Sequence, residues 1–145
     1  MTLHVVTGAP CSGKTSYIRV NKQDGDIVID YDALAVAFGA ESDHSANSRI
    51  KTVTRAARTA AINAAVMNKY ECWVIHTSPN PQQVAWYLRH GAKFHELDPG
   101  KDECIRRAKK DNRPSFTVGA SESWYKKHAV NNQCTKRNVS TSREW

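Results

Sequence analysis

Residues 8–16 read GAPCSGKTS and follow the apolar run LHVV. Gly8, Gly13, Lys14 and Thr15 complete the spacing G-x-x-x-x-G-K-[ST]. Each residue type has a chemical task there. A glycine-rich backbone can curl around phosphates with its N–H groups turned inward, and the positive end of the following helix adds to the attraction. A lysine at the sixth following position reaches the β- and γ-phosphates, and the next hydroxyl can ligate Mg²⁺. Ala9, Pro10, Cys11, Ser12 and Ser16 complete the loop that would surround ATP. The spacing predicts a site for ATP and Mg²⁺, with Thr15 as the metal contact. It leaves open where the γ-phosphoryl group goes.

Hydrolysis needs a positioned water, whereas transfer to an alcohol needs a base beside the acceptor hydroxyl. The segment DIVIDYD supplies Asp30 and Asp32 at the end of a second apolar run. In an open parallel sheet that end borders the ligand crevice. Asp32 has a competing structural reading as the cap of a helix beginning at Ala33. The segment WVIHT ends a third apolar run with His76 and holds no carboxylate to position water, which disfavours an ATPase. The run IRRAKKDNR (105–113) spaces Arg106, Lys110 and Arg113 to one side of a helix, with Arg107 on the adjacent side. Such cations over a γ-phosphate would neutralise transition-state charge. The alternative is a solvated amphipathic helix.

Trp73, Trp86 and Trp124 read as core residues, and Trp145 as a possible anchor for the C-terminal segment. Tyr31, beside the candidate base, is the aromatic residue best placed for substrate contact. His44 falls in a polar loop, AESDHSANS, of the kind that covers an acceptor site. Cys11, Cys72, Cys104 and Cys134 are scattered without a CxxC pair, so reduced structural thiols are expected. Within the loop, Lys14 and the helix end could lower the pKa of Cys11, although a merely small residue also suits that position.

Around these residues the chain alternates apolar strands with helical stretches. Strands are expected at 2–7, 26–32, 71–77 and 92–98. Helices are expected over about 13–20, 33–39, 49–69, 81–91 and 101–112. This alternation predicts an α/β domain with a parallel sheet covered on both faces. The chain has 145 residues, enough for one domain with a real core. Its net charge of +7 favours polyanionic partners, nucleotide or nucleic acid. No apolar run approaches the roughly 18 residues of a membrane span, and no secretory signal is evident, so a cytoplasmic setting is expected.

The ordered set GAPCSGKTSYIR, IDYDAL, WVIHTSPNPQQVAW, LDPGKDECIRRAKKDNRP and WYKK resembles the bacteriophage polynucleotide kinases and their small P-loop kinase relatives, over about residues 3–127. The resemblance implies a P-loop NTPase fold of the adenylate-kinase type, a three-layer sandwich in which helices flank a parallel sheet. It implies a kinase domain over 1–130 with a small basic lid near 101–114, and a tail over 131–145. On this resemblance Asp32 matches the general base for a 5′-hydroxyl, and Asp30 a polar neighbour at the acceptor site. Thr77 and Asn80 fall on the substrate-side segment after the third strand, and Arg107 matches a lid arginine that grips ATP. Lys110 or Arg113 would serve as the second lid cation. Two positions depart from the pattern: Ala35 stands where an acceptor-binding arginine is expected, and His76 where a carboxylate is frequent.

The reading predicts an ATP- and Mg²⁺-dependent phosphotransferase acting on a hydroxyl of a nucleic acid or nucleotide, in the host cytoplasm if phage-encoded. Acceptors consistent with it are a 5′-hydroxyl strand end, a hydroxymethylated base, or a free nucleoside or nucleotide. The competing readings are an ATPase or regulatory nucleotide-binding module, and a nucleic-acid binder whose loop is purely structural.

Overall fold

The computed structural model describes residues 1–41, 46–131 and 139–140. His44, Cys134 and Trp145 lie outside the described residues. The chain runs β1 (Leu3–Gly8), α1 (Lys14–Asn21), β2 (Ile27–Asp30), α2 (Tyr31–Ala37), α3 (Ser48–Met67) and β3 (Cys72–Ile75). It continues with α4 (Pro81–Arg89), β4 (Lys93–Leu97), α5 (Lys101–Lys110), α6 (Phe116–Asn131) and β5 (Val139–Ser140). The strands form one parallel sheet in the order β2-β3-β1-β4-β5. Val139–Ser140, inside the segment read as a tail, extend the sheet beside Glu96 and Leu97.

Burial on both faces explains the near-continuous apolar composition of β1 and β3. Leu3 and Val5 of β1 and Cys72 and Val74 of β3 pack on one side with Ile62 and Ala65 of α3 and Tyr87 of α4. Val6 and Trp73 turn to the opposite side, where Ile18 of α1 and Leu97 of β4 meet them. Alternate residues of one strand thus serve two helical layers, and each fully buried valine or leucine contributes about 1.5–3 kcal/mol. This is the α/β domain with a parallel sheet covered on both faces expected from the sequence.

The strand expected at 26–32 is shorter and less buried than its composition suggests. β2 lies at the sheet edge, with Ile27 and Val28 partly exposed, and stops at Asp30. The chain then turns directly into α2. The Asp30 carboxylate accepts the backbone N–H of Asp32 at 3.0 Å and caps the helix. The cap is therefore Asp30, and Asp32 sits in the first turn rather than before it.

A third cluster joins Ala9, Cys104 of α5 and Trp124 of α6, with Tyr125 packed against it. α6 has no clear sequence signature, because its apolar residues form no stripe at helical spacing. It nevertheless closes one side of the phosphate loop: Ser121 donates to the Pro10 carbonyl at 3.3 Å, and Trp124 Nε1 to the Thr77 carbonyl at 3.0 Å.

Candidate active site

The C-terminal ends of β1, β2 and β3 converge on one rim of the sheet. β1 ends at Gly8, whose φ of 150° opens the loop. A Cβ at Gly8 would lie 2.5 Å from Ser12 Oγ and 2.7 Å from the Leu97 carbonyl, so no side chain fits. Cys11 takes a left-handed φ of 64°, and Gly13 takes 94° as it starts α1. The first turn of α1 has no side-chain cap and no acidic residue, so its N–H groups face the loop.

The Lys14 ammonium folds into this loop. It donates to the carbonyls of Gly8 at 2.9 Å and Ala9 at 2.7 Å, and to Ser12 Oγ at 3.4 Å. Its withdrawal from water lowers its pKa to about 8, against partial support from Cys104, Cys11, Asp32 and Asp30. Burial acts the other way on Cys11, raising its pKa. The lowered Cys11 pKa considered from the sequence does not arise: desolvation outweighs the nearby cations.

A cleft of ≈ 480 Å³ opens over the loop. Pro10, Cys11, Ser12, Gly13, Lys14, Thr15 and Ser16 line it, together with Asp30, Asp32, Thr77 and Arg113. The structure thus brings together most of the residues singled out from the sequence. Ala9 is fully buried beneath the loop. Arg19, one turn beyond Thr15 on α1, also lines the cleft and was missed; its i+4 spacing from Thr15 was the available signal.

The cations of 105–113 separate into different roles. α5 ends at Lys110, so Arg113 does not share a helical face with Arg106 and Lys110. Asn112 adopts a φ of 50°, and the N–H groups of Asn112 and Arg113 bond the carbonyls of Lys109 and Ala108. This helix-terminating turn carries Arg113 to the cleft. Arg106 is exposed and pairs with Glu103 at 2.6 Å; Lys110 is exposed and outside the cleft lining. Arg107 is 3% exposed, donates to Glu103 at 3.0 Å, and reaches the Cys11 carbonyl at 3.3 Å. It braces the loop from beneath and does not line the cleft. Hydrogen bonds from Arg106 and Arg107 hold the Glu103 pKa down to about 2.

A second, basic cleft of ≈ 330 Å³ adjoins the first. Asp30, Asp32, Ile75 and Thr77 line both. Tyr31 lines the basic cleft together with Lys51, Arg55 and Arg58 of α3 and with His76 and Ser78. Arg58 lies over the Tyr31 ring, 5.4 Å from its centroid. The α3 cations were missed by the sequence reading, although their i, i+4, i+7 spacing was visible. Ala35, where the resemblance led one to expect an arginine, is 1% exposed and faces the core.

His76 is 8% exposed, and its Nδ1 lies 2.9 Å from the Tyr87 hydroxyl. Burial, and then Arg58, lower its pKa to about 4, so it is neutral at physiological pH. Asn80 caps α4: its side chain accepts the Gln83 N–H at 2.8 Å while Gln83 Oε1 accepts the Asn80 N–H at 2.9 Å. The N-P sequence is thus a helix start, and Asn80 lies away from the loop cleft.

Phosphate-directed N–H groups, Lys14 and Arg113 suit a polyphosphate. The Thr15 hydroxyl with the carboxylates of Asp30 and Asp32 suits a hard cation carried with it. No group of three or more His, Cys, Asp or Glu side chains able to hold a metal occurs among the described residues. No described helix is long and apolar enough to cross a membrane.

These features define a P-loop kinase-like α/β fold. No protein-family profile matches the sequence, and no curated protein matches it significantly. Solved structures do share the fold. One chain of a Pnkp1/Rnl/Hen1 RNA repair complex superposes with a TM-score of 0.76 at 15% identity, covering 93% of this chain and 46% of that one. A chain of a Pnkp1/Rnl/Hen1 complex gives 0.58 at 16% identity, over 73% of this chain and 38% of that one. The Deinococcus radiodurans tunicamycin resistance protein gives 0.58 at 11% identity, over 97% and 85%. The chain therefore spans less than half the length of the two complex chains.

Proposed function

We propose that the protein is a phosphotransferase that moves the γ-phosphoryl group of ATP to a hydroxyl of a nucleic acid or nucleotide. The observation that carries this reading is the position of Asp32, on the wall shared by the phosphate-loop cleft and the basic cleft. A base at that junction can take the proton of an acceptor hydroxyl as its oxygen attacks the γ-phosphorus and ADP leaves. Lys14, Arg113 and the first turn of α1 would hold the phosphates and offset the charge that spreads over the transferred group. Mg²⁺ would supply further charge neutralisation, held by Thr15 and the nucleotide. Asp30 would orient Asp32 by fixing the start of α2, and Arg107 would act indirectly by supporting the loop. Tyr31 and Thr77 would contact the acceptor.

A fold shared with a chain of an RNA repair complex supports a nucleic-acid acceptor, as does the net charge of +7. A 5′-hydroxyl strand end is the acceptor we favour. The test incubates the protein with γ-labelled ATP, Mg²⁺ and 5′-hydroxyl DNA or RNA, hydroxymethyl-base DNA, or free nucleosides. Label is expected on a 5′-hydroxyl end. Label appearing only as inorganic phosphate would replace this reading with that of an ATPase.

A further inference from the structure

A third cavity of ≈ 400 Å³ lies between α3 and α4, within the size range of small-molecule sites. It meets the basic cleft at Arg58 and His76, which line both. Its chemistry differs from that of either cleft. Trp86 and Tyr87 provide aromatic surface, and Asn63, Gln82 and Gln83 bring side-chain amides. Trp86 is half-buried and stacks on His90 with ring centroids 4.0 Å apart. Aromatic surface with amide edges suits a planar heterocycle carrying both donors and acceptors. Lys51, Arg55 and Arg58 line the adjoining basic cleft with Asp32, and no carboxylate pairs with any of the three among the described residues. Three cations against the two carboxylates of Asp30 and Asp32 leave the cleft lining net positive, which suits a phosphate.

We propose that the α3–α4 cavity is a base-recognition subsite, joined through Arg58 and His76 to a phosphate subsite formed by Lys51, Arg55 and Arg58. The acceptor is then a nucleotide or strand end bound at three points: hydroxyl at Asp32, adjacent phosphate on α3, and base between α3 and α4. A neutral alcohol or a bare sugar phosphate engages only part of this surface. The assignment of the hydroxyl to Asp32 rests on the phosphotransferase reading, whereas the two subsites are testable by binding alone.

The test measures equilibrium binding of a fluorescent 5′-hydroxyl trinucleotide, and of the same molecule with an abasic 5′ residue, by polarisation without ATP. The parent is expected to bind the base-bearing ligand roughly tenfold more tightly, within the range of aromatic–base stacking. Trp86→Ala should abolish that preference. Asn63→Glu, a change at an exposed position that leaves the core intact, should do the same by placing a carboxylate in the cavity. Lys51→Gln with Arg55→Gln should weaken both ligands together and flatten the logarithmic salt dependence by about one unit. Equal affinity of the parent for the two ligands would overturn the base subsite. Unchanged affinity and salt slope in the double variant would overturn the phosphate subsite. Absence of label transfer alongside the expected binding pattern would refute the phosphotransferase reading and leave the subsites standing.

Discussion

The two halves of the candidate active site are built in different ways. The phosphate-loop half is local: residues 8–16 supply the turn, the lysine and the helix N-terminus within one continuous segment. The acceptor half is assembled from the end of β2, the face of α3, the end of β3 and the start of α4. Its members lie between Asp30 and Tyr87 and are adjacent only because β2, β3 and β1 are neighbours in the sheet. The local half specifies a chemical group shared by all nucleoside triphosphates. The dispersed half is where the particular acceptor can be specified, since each of its elements can change independently.

The contrast can be broken first by removing Lys14. Lys14→Met should lower turnover by roughly 10²-fold or more, in line with the loss of a transition-state charge contact, and leave acceptor binding unaffected. Loss of trinucleotide binding in that variant would show that the halves are not separable. The lowered Lys14 pKa of about 8 gives a second handle. Below that pH the ligand-free lysine is charged, and above it the proton leaves. Nucleotide affinity should therefore fall as pH rises through about 8, with proton uptake on binding at pH 8.5–9 measurable by calorimetry in buffers of different ionisation enthalpy. Lys14→Arg, which cannot deprotonate in this range, should abolish the step.

Arg107 and Arg113 sharpen the comparison within the cationic segment. Arg107→Ala removes a buried guanidinium that holds Glu103 and the Cys11 carbonyl. It should destabilise the fold by about 2–4 kcal/mol in urea titrations. Arg113→Ala should instead lower turnover roughly tenfold or more, with little change in stability. The reverse pattern would make Arg107 the cation acting on the nucleotide.

The acceptor half carries its own pH signature. His76 has a folded pKa of about 4 against an ordinary 6.5, so the fold favours its neutral form. Its contribution is complete above about pH 6.5 and is lost as pH falls toward 4, because the unfolded chain then binds the extra proton. The loss amounts to about 3 kcal/mol. Comparing unfolding free energies at pH 7.5 and 4.5 in the parent and in His76→Gln isolates this group from the carboxylates. An equal pH dependence in both proteins would remove His76 as its source.

How much of this was legible in the sequence follows from the same contrast. The loop, the alternation of strands and helices, and the position of Asp30 and Asp32 at a strand end could be read from short-range patterns, whereas Thr77 was expected only from the family resemblance. The roles of the two aspartates could not be read there, because they depended on β2 ending at Asp30, two residues before the end of the expected strand. Asn80 has a structural role that its residue type does not separate from ligand contact: it caps α4, and it also lines the α3–α4 cavity. Arg107 looked like a lid cation because helical spacing does not reveal which side of α5 meets the phosphate loop. Lys51, Arg55 and Arg58 were overlooked although regularly spaced, since a basic helix face is ordinarily solvated. Only the packing of α3 beside the ends of β2 and β3 brings it next to Asp32. α6 escaped because it lacks an apolar stripe and is held by Trp124 and Ser121 at the loop.

The most direct test of the account measures Asp32→Asn, following label transfer from γ-labelled ATP to a 5′-hydroxyl oligonucleotide together with the ATP dissociation constant. Transfer is expected to fall about 10²–10⁴-fold, the range for loss of a general base, with ATP affinity within about twofold of the parent. Transfer at the parental rate with ATP affinity intact would contradict the placement of the acceptor hydroxyl at the junction of the two clefts.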